Sequence, residues 1–368
     1  MEIRIVRFKD VQKETWDSWV DYLDESTYLH SSFWINYCHL LLPIENCLSF
    51  AVLDSRENIL GLCPLGVSDI LYQGIRFKEA SWNGSPLGAP AIENGFPPQR
   101  RRLVRQILGV LHSELKNYGV KRISLRRHPV NRLVANGRVG LSGQFELLSD
   151  GYMASPENTI IVDLNLEIST LNKGMTREQR KHISKSQRTG LTVKEFRGSC
   201  IGLEAHHDLY RMAHEKSAGG LTRPELSFAY MLDAARSGNA SLFVAYNGEI
   251  PISYLYCGEH RDFAFGWSQV NVEEYEKEFS PRHLLEWSAV LSYKMRGFEY
   301  YEIGTRWYGP QIYNIPTSKE LSIAAFKERY GGQLWPDITF EKYYDKTLFK
   351  TLVDRSIAEF VNSGYFEN

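Results

Sequence analysis

One order of elements occurs twice in this chain, and the repetition limits the available folds more than any single motif does. LSFAVLDSRENILGLCPLGV, from Leu48, carries two β-type runs around a polar turn at Asp54 to Asn58. SLFVAYNGEIPISYLYCG, from Ser241, repeats that pattern, with Val244-Ala245 standing where Ala51-Val52 stand in the first copy. After the first copy, Gln99 to Tyr118 reads as a helix with Leu103, Ile107, Val110 and Leu111 on one face. Gly119 ends it and Val120 to Leu125 reads as a strand. After the second copy, Pro281 to Met295, Gly297 and Phe298 to Ile303 follow the same scheme. Helices precede each hairpin, at Val11 to Leu23 and Ser32 to Leu41 in one half and at Gly202 to Lys216 in the other. An internal duplication of two α+β domains accounts for the echo. It also accounts for 368 residues, more than the roughly 250 to 300 at which single cores stop growing. The joint is placed between Asp150 and Asn158, where Gly151, Ser155 and Pro156 break the pattern, giving domains over 1–155 and 156–368.

Formal net charge is −1, so no global field draws the chain to polyanions and such recognition must come from a local patch. The five cysteines (Cys38, Cys47, Cys63, Cys200 and Cys257) form no C-x-x-C pair, which reads as reduced thiols rather than a disulfide framework or a zinc site. MEIRIVRFKD lacks the apolar core of a signal peptide, and no run approaches about 18 apolar residues. The expectation is a soluble, cytoplasmic protein with at most peripheral membrane contact.

Two stretches carry chemistry. In TREQRKHISKSQRTGLTV, Arg177, Lys181, Lys185 and Arg188 share one helical face, flanked by Arg180 and His182, with Glu178 the one acid. The face reads either as a phosphate-binding surface or as plain solvated charge. In YYEIGTRWYGPQIYNIPTSKELSIAAFKERYGGQL, a strand ends at Gly304 and a loop carries Arg306. A helix capped by Thr317 or Ser318, with Glu320 in a capping box, then delivers Phe326, Lys327 and Arg329 before Gly331-Gly332 ends it. Cations at that helix end can bind an anion or stabilise an oxyanion; the alternative is a surface turn.

Hairpin, helix–Gly–strand and terminal strand, twice over, resemble tandem GNAT acyltransferase folds. More narrowly, the basic helix ending at Gly190 resembles the R-x-x-x-K-A-x-R-x-G opening of the FemAB/FemX aminoacyltransferases. AFKERYGG resembles that family's F-K-x-x-F-G-G signature, YYEIG its Y-x-D-x-G strand end, and SSFWINYC its W helix. The resemblance covers most of the chain in order. It implies a fold of two GNAT-like domains, each a mixed, mostly antiparallel sheet flanked by helices. It also implies acyl transfer to an amine, with the acceptor held on the first domain and in the groove between domains, the donor on the second, and the F-K pair at the transfer centre. Three features depart from it. Cys38 stands where members that bind the nucleotide-linked precursor have a lysine, Glu302 replaces an aspartate, and no heptad pattern marks a helical-hairpin insertion.

The function expected is amide formation, an aminoacyl group moving from aminoacyl-tRNA to an amine on a cell-envelope or polysaccharide precursor. The donor is a co-substrate, and no cofactor or metal is held. Lys327 is assigned to the oxyanion and Phe326 to the same centre. Glu302 would orient Lys327, accept the amine proton, or simply pair with Arg306. Substrate contacts are assigned to Arg177, Arg180, Lys181, Lys185, Arg188, Trp267, Ser268, Arg306, Tyr308 and Arg329, with Trp307, Tyr313 and Trp335 as further aromatics that stack on sugars or bases, or else pack in the core. Partners would be a phosphate-bearing donor such as tRNA and a nucleotide- or lipid-linked acceptor, not DNA. One alternative is an acyl-CoA-dependent N-acyltransferase acting on an amino sugar. Against it, Ser280-Pro281 would open a helix able to bind pyrophosphate, but NVEEYEKEFSP puts Glu273, Glu274, Glu276 and Glu278 there and no glycine. The other alternative is a non-catalytic module binding a glycan precursor or RNA. His206, His207 and His214 lie near acids without metal-site spacing, and no G-x-S-x-G, Walker A or G-x-G-x-x-G occurs.

Overall fold

The computed structural model describes residues 2–41, 47–93, 97–131, 146–309 and 315–363. In chain order the elements begin β1 (Ile3–Arg7), α1 (Lys13–Tyr22), α2 (Ser32–His39), β2 (Phe50–Asp54), β3 (Ile59–Cys63), β4 (Val67–Tyr72) and β5 (Ile75–Ala80). The short strands β6 (Leu87–Gly88) and β7 (Ala91–Ile92), helix α3 (Pro97–Asn117), β8 (Arg122–Arg127) and β9 (Met153–Asp163) follow. Next come α4 (Ile168–Gly174), α5 (Arg177–Arg188), β10 (Thr192–Phe196), α6 (Leu203–Ala218), α7 (Glu225–Arg236), β11 (Ala240–Asn247), β12 (Ile250–His260) and β13 (Phe263–Asn271). The chain continues with α8 (Glu273–Phe279), α9 (Pro281–Met295), β14 (Tyr300–Thr305), α10 (Ser318–Glu328), β15 (Gln333–Tyr343) and α11 (Lys346–Asn362).

The chain divides into two compact units, one of Met1–Glu157, Gly309–Thr317 and Pro336–Asn368, the other of Asn158–Tyr308 and Ser318–Trp335. This differs from the expected division, in which everything after 155 formed one domain. The reason is strand pairing. Ile338 to Tyr343 of β15 run antiparallel to β8, from Ile338↔Arg127 to Tyr343↔Arg122, and Leu348 and Leu352 of α11 pack on Ile70 and Phe77.

In the first unit, β1, β2, β3 and β7 form one antiparallel sheet. The β2–β3 turn closes on Asp54, whose carboxylate accepts from the Arg56 and Asn58 amides at 2.8 and 2.9 Å. Leu71 to Trp82 carries the end of β4, the turn of the β4–β5 hairpin and β5. Gln73 and Gly74 both take positive φ there, the two-residue turn that suits strand twist. β8 pairs in parallel with β5 and β6 and antiparallel with β15. Leu103, Val104, Ile107, Leu108, Leu111 and Leu115 bury one face of α3.

In the second unit, β10 to β13 form an antiparallel meander, β14 joins β13 in parallel, and β9 pairs antiparallel with β14. Its core draws Leu284, Leu285, Val290 and Tyr293 from α9, Ile160 and Val162 from β9, Met175 and Ile183 from the α5 region, and Tyr301 from β14. Pro281 opens α9, as expected, but Ser280 does not cap it. Ser280 sits in the left-handed region at φ 53, with no side-chain cap bond. The acidic stretch before it forms helix α8, whose C-cap is Ser280 in that conformation. Among the described residues no helix is long and apolar enough to cross a membrane.

Candidate active site

The second unit's sheet opens at one place. β13 and β14 pair only through Phe263↔Tyr300, Ala264↔Tyr301 and Phe265↔Glu302. Both strands are bulged at that level. The β12–β13 register shifts between Tyr256↔Ser268 and Cys257↔Gly266, making Trp267 the extra residue. The β14–β9 register shifts between Glu302↔Ile161 and Gly304↔Ile160, making Ile303 the extra residue. Such bulges re-aim side chains and end pairing. Past Gly266 and Glu302 the two parallel strands no longer share a ladder, which leaves main-chain groups there able to meet a ligand.

Helix α10 lays Lys327 on this junction. A β-carbon at Gly304 would lie 2.6 Å from Lys327 Nζ, and Gly304 has φ +120, a conformation that side chains rarely adopt. The glycine is therefore required twice, by the backbone and by the ammonium against it. Gly304→Ala is expected to displace Lys327, the flexible partner in the clash, and to cost about 1–3 kcal/mol from backbone strain. Urea unfolding measures the second effect. The first should appear as a drop in turnover larger than the stability loss explains.

Glu286, on α9, is 6% exposed. Tyr301 Oη donates to its Oε1 at 2.6 Å, and Cys257 Sγ lies 3.5 Å from the same hydroxyl. Burial pushes the Glu286 carboxyl up to about 7, against the opposing pull of the Tyr301 hydrogen bond, Lys327 and Arg282. A β-carbon at Gly266 would be 3.6 Å from Tyr301 Oη, so Gly266, Tyr301, Glu286, Lys327 and Gly304 gather at the end of the β13–β14 pairing. His283, one turn earlier on α9, stacks on His182 at 4.3 Å and meets Gln179 Oε1 through Nδ1 at 2.7 Å. Burial, then His182, Arg282 and Arg329, push its pKa down to about 3, so the ring is neutral and its Nδ1–H donates to Gln179. Sequence reasoning missed Glu286, His283 and Gln179.

The expected site residues separate. Phe326 packs edge-on against His283 at 5.0 Å and Tyr330 at 5.6 Å, with Arg282 over its ring. It forms the wall behind Lys327. Glu302 is buried and accepts from Thr159 Oγ1 at 2.5 Å. Arg306 pairs with Glu328 at 2.8 Å and covers the Tyr308 ring at 4.0 Å. Tyr308 Oη donates to the same Glu328 at 3.0 Å. Ser268 accepts from Tyr210 at 2.7 Å and Arg223 at 3.1 Å, which directs it to the α6 side rather than to the junction. Trp267 is half-buried with its ring 6.4 Å from Tyr256, and Trp335 lies 5.3 Å from Tyr300. Tyr313 lies outside the described residues.

Helix α5 runs over the expected Arg177–Arg188, with Thr176 Oγ1 capping Gln179 N at 3.2 Å. Gln179, Ile183 and Ser186 face inward. Arg177, Lys181, Lys185 and Arg188 are exposed on the other side, an outward cationic stripe. Arg180 does not join it. Its Nη1 donates to the carbonyls of Asn172 and Lys173 at 3.2 Å, and to that of Met175, finishing the end of α4. Arg329 pairs with Glu178 at 3.1 Å, so that cation is also engaged. His206 bonds the Gly202 carbonyl at 2.7 Å, His207 the Tyr256 hydroxyl at 2.8 Å, and His214 Arg223 at 3.2 Å. Among the described residues, no group of three or more His, Cys, Asp or Glu side chains could hold a metal ion.

Residues 177–313 match the family model described as acetyltransferase (GNAT) domain. That span runs from the first residue of α5 through the β13–β14 junction and stops short of Lys327. The fold is GNAT-like along the whole chain. It is similar to the crystal structure of FemX, with a TM-score of 0.65 at 13% identity, covering 96% of this chain and 100% of that one. It is similar to the C-terminal domain of a putative lysylphosphatidylglycerol synthetase from Agrobacterium fabrum, at TM-score 0.56 and 13% identity, over 94% and 95% of the two chains. A tandem GNAT protein from the clavulanic acid biosynthesis pathway aligns at TM-score 0.52 and 11% identity, over 93% and 98%. No curated protein matches the sequence. The match over 177–313 points to an acyltransferase of GNAT type, and the remote structures speak for the architecture alone.

Proposed function

We infer that this protein is an acyltransferase that forms an amide bond, moving an aminoacyl group from aminoacyl-tRNA to an amine on a cell-envelope or polysaccharide precursor. The observation that carries the reading is Lys327, whose Nζ rests on Gly304 where β13 and β14 stop pairing. A neutral amine attacks the ester carbonyl carbon, negative charge collects on its oxygen, and the ammonium opposite stabilises it. The C–O bond then breaks, the ribose oxygen leaves with a proton, and the nitrogen gives up its own proton to complete the amide. No resident cofactor takes part, and the donor is a co-substrate. The similarity to FemX and to a putative lysylphosphatidylglycerol synthetase supports an aminoacyl donor and a cytoplasmic setting in which charged tRNA is available.

The cationic stripe Arg177, Lys181, Lys185 and Arg188 is assigned to the donor's phosphates. Changing all four to glutamine should weaken tRNA binding and flatten its dependence on log salt by about three, at roughly 0.7–0.9 for each phosphate no longer neutralised. An unchanged slope would return the stripe to solvated surface.

A second reading, acyl-CoA-dependent transfer to an amino sugar, is supported by the acetyltransferase match. The acids before α9 oppose CoA less than their number implies, because Glu274 pairs with Lys216 at 3.1 Å and Glu276 with Arg282 at 3.0 Å. Donor discharge separates the two readings. Purified protein is offered labelled aminoacyl-tRNA and, separately, a panel of acyl-CoAs, each with crude envelope precursors. Faster loss of label from tRNA supports the first reading; loss from a thioester alone overturns it in favour of the second.

A further inference from the structure

We propose that Glu286 is a positioning residue for Lys327, its carboxylate pinned by Tyr301 on the strand whose Gly304 carries the ammonium. The assignment deepens the transfer reading above, since it concerns the same lysine. It begins from an oddity of α9. Leu284, Leu285, Ala289, Val290 and Tyr293 are all buried in the core, and a carboxyl group stands among them at 6% exposure. Burying a carboxylate without a compensating partner is expensive, and an apolar residue of similar size would serve packing better.

The surroundings of Glu286 explain its retention. From β14, Tyr301 Oη donates to Oε1 at 2.6 Å. From β12, Cys257 touches that hydroxyl at 3.5 Å. From α10, Lys327 pulls the carboxyl toward its ionised form, and Arg282 does so from the first turn of α9. Burial pushes the Tyr330 hydroxyl well up, and the Glu286 charge adds to that rise. Two cations therefore favour the anion and burial opposes it, leaving the group near about 7. A counter-anion beside Lys327 keeps the amine charged and aimed, as an oxyanion partner requires. The linkage has a definite sign. The folded value of about 7 lies above the ordinary 4.5, so this group's contribution to stability is complete below 4.5 and falls as pH rises from 4.5 to 7. A residue kept for stability alone would not carry that penalty.

Glu286→Gln preserves shape and an acceptor for Tyr301 while removing the charge. The test is trace labelling of the folded protein with acetic anhydride, a neutral reagent, read at each lysine by mass spectrometry across pH. Without the anion, the Lys327 ammonium loses its proton more readily, so labelling at fixed pH should increase, about tenfold per unit of lowered pKa. Lys181, exposed on α5, should be unchanged. Lys294, bonded to the Leu164 carbonyl at 2.8 Å, reports unfolding if it increases too. Tyr301→Phe, which frees Oε1, should move Lys327 in the same direction by less and serves if the first variant does not fold. Unchanged Lys327 labelling in a folded variant overturns the proposal. In turnover, the wild-type rate should rise through about pH 7 and the Glu286→Gln rate should not. Labelling needs no substrate, so a chain that transfers no acyl group would sink the functional reading and leave the Glu286–Lys327 link separately decided.

Discussion

Lys327→Ala is expected to lower kcat by about 100- to 1,000-fold, roughly 2.7–4 kcal/mol of transition-state stabilisation, with KM little changed. The prediction follows from where the charge sits. Its ammonium is held against Gly304, past the last pair of the β13–β14 ladder, and the carbonyl oxygen of a bound ester becomes negative only in the tetrahedral state. An interaction made only there appears in kcat rather than in ground-state binding. The fold should survive, because Lys327 is half-buried on α10 while the core contacts of that region come from Ala324, Phe326 and Tyr330. Lys327→Arg should not restore the rate, since a planar guanidinium cannot occupy the space of a compact ammonium. Single-turnover release of labelled acyl group, beside a thermal melt, makes the measurement. A stable Lys327→Ala protein with full turnover would remove the mechanism.

The parts of the fold legible in the sequence are those encoded locally. Helix α5 begins and ends at the residues its cationic spacing and Gly190 indicate, and Gly119 and Gly297, both at positive φ, punctuate α3–β8 and α9–β14 as the duplicated pattern implies. What the pattern does not contain is partnership. The stretch Gln333–Tyr343 reads as a strand wherever it pairs, and nothing local says that its second half lies against β8. Ser280-Pro281 reads as a cap for the same reason. The motif is common, and Ser280 is instead the left-handed C-cap of the preceding acidic helix.

The site divides along the same line. A short motif and a terminal glycine pair mark Lys327, but the acids that claim its neighbours are invisible in the sequence. Arg306 and Tyr308 are engaged by Glu328, Arg329 by Glu178, and Arg180 by the carbonyls closing α4. The sequence does carry a signal for Glu286. Counting three, four and seven residues onward along α9 gives Ala289, Val290 and Tyr293, all buried, so the carboxyl lies on the apolar stripe of an amphipathic helix. A charged residue in that position indicates either a buried partner or a function.

The largest effect on stability is expected at Gly331. A β-carbon there would fall 2.3 Å from the Gly174 carbonyl carbon, 2.4 Å from its oxygen and 2.7 Å from the Met175 nitrogen, at φ +78. Every obstructing atom is backbone, so no rotamer change relieves the overlap. The crossing fixes the end of α4 against the turn after α10, where the Thr176 amide donates to the Arg329 carbonyl at 3.0 Å. One glycine thus ties the start of the cationic helix to the segment carrying Lys327. Gly331→Ala should therefore lose more than about 3 kcal/mol, the strain of the left-handed backbone plus displacement of α4. The urea midpoint should fall with the slope unchanged. Gly190→Ala supplies the comparison, because it has nearly the same φ, +82, and nothing within 4 Å of the added carbon. It should show only the conformational share, about 1 kcal/mol. If the two substitutions proved equally mild, the close crossing would not be what Gly331 is kept for, and the coupling of α5 to Lys327 would have to run through the Thr176–Arg329 bond and the aromatic wall of Phe326 and Tyr330 instead.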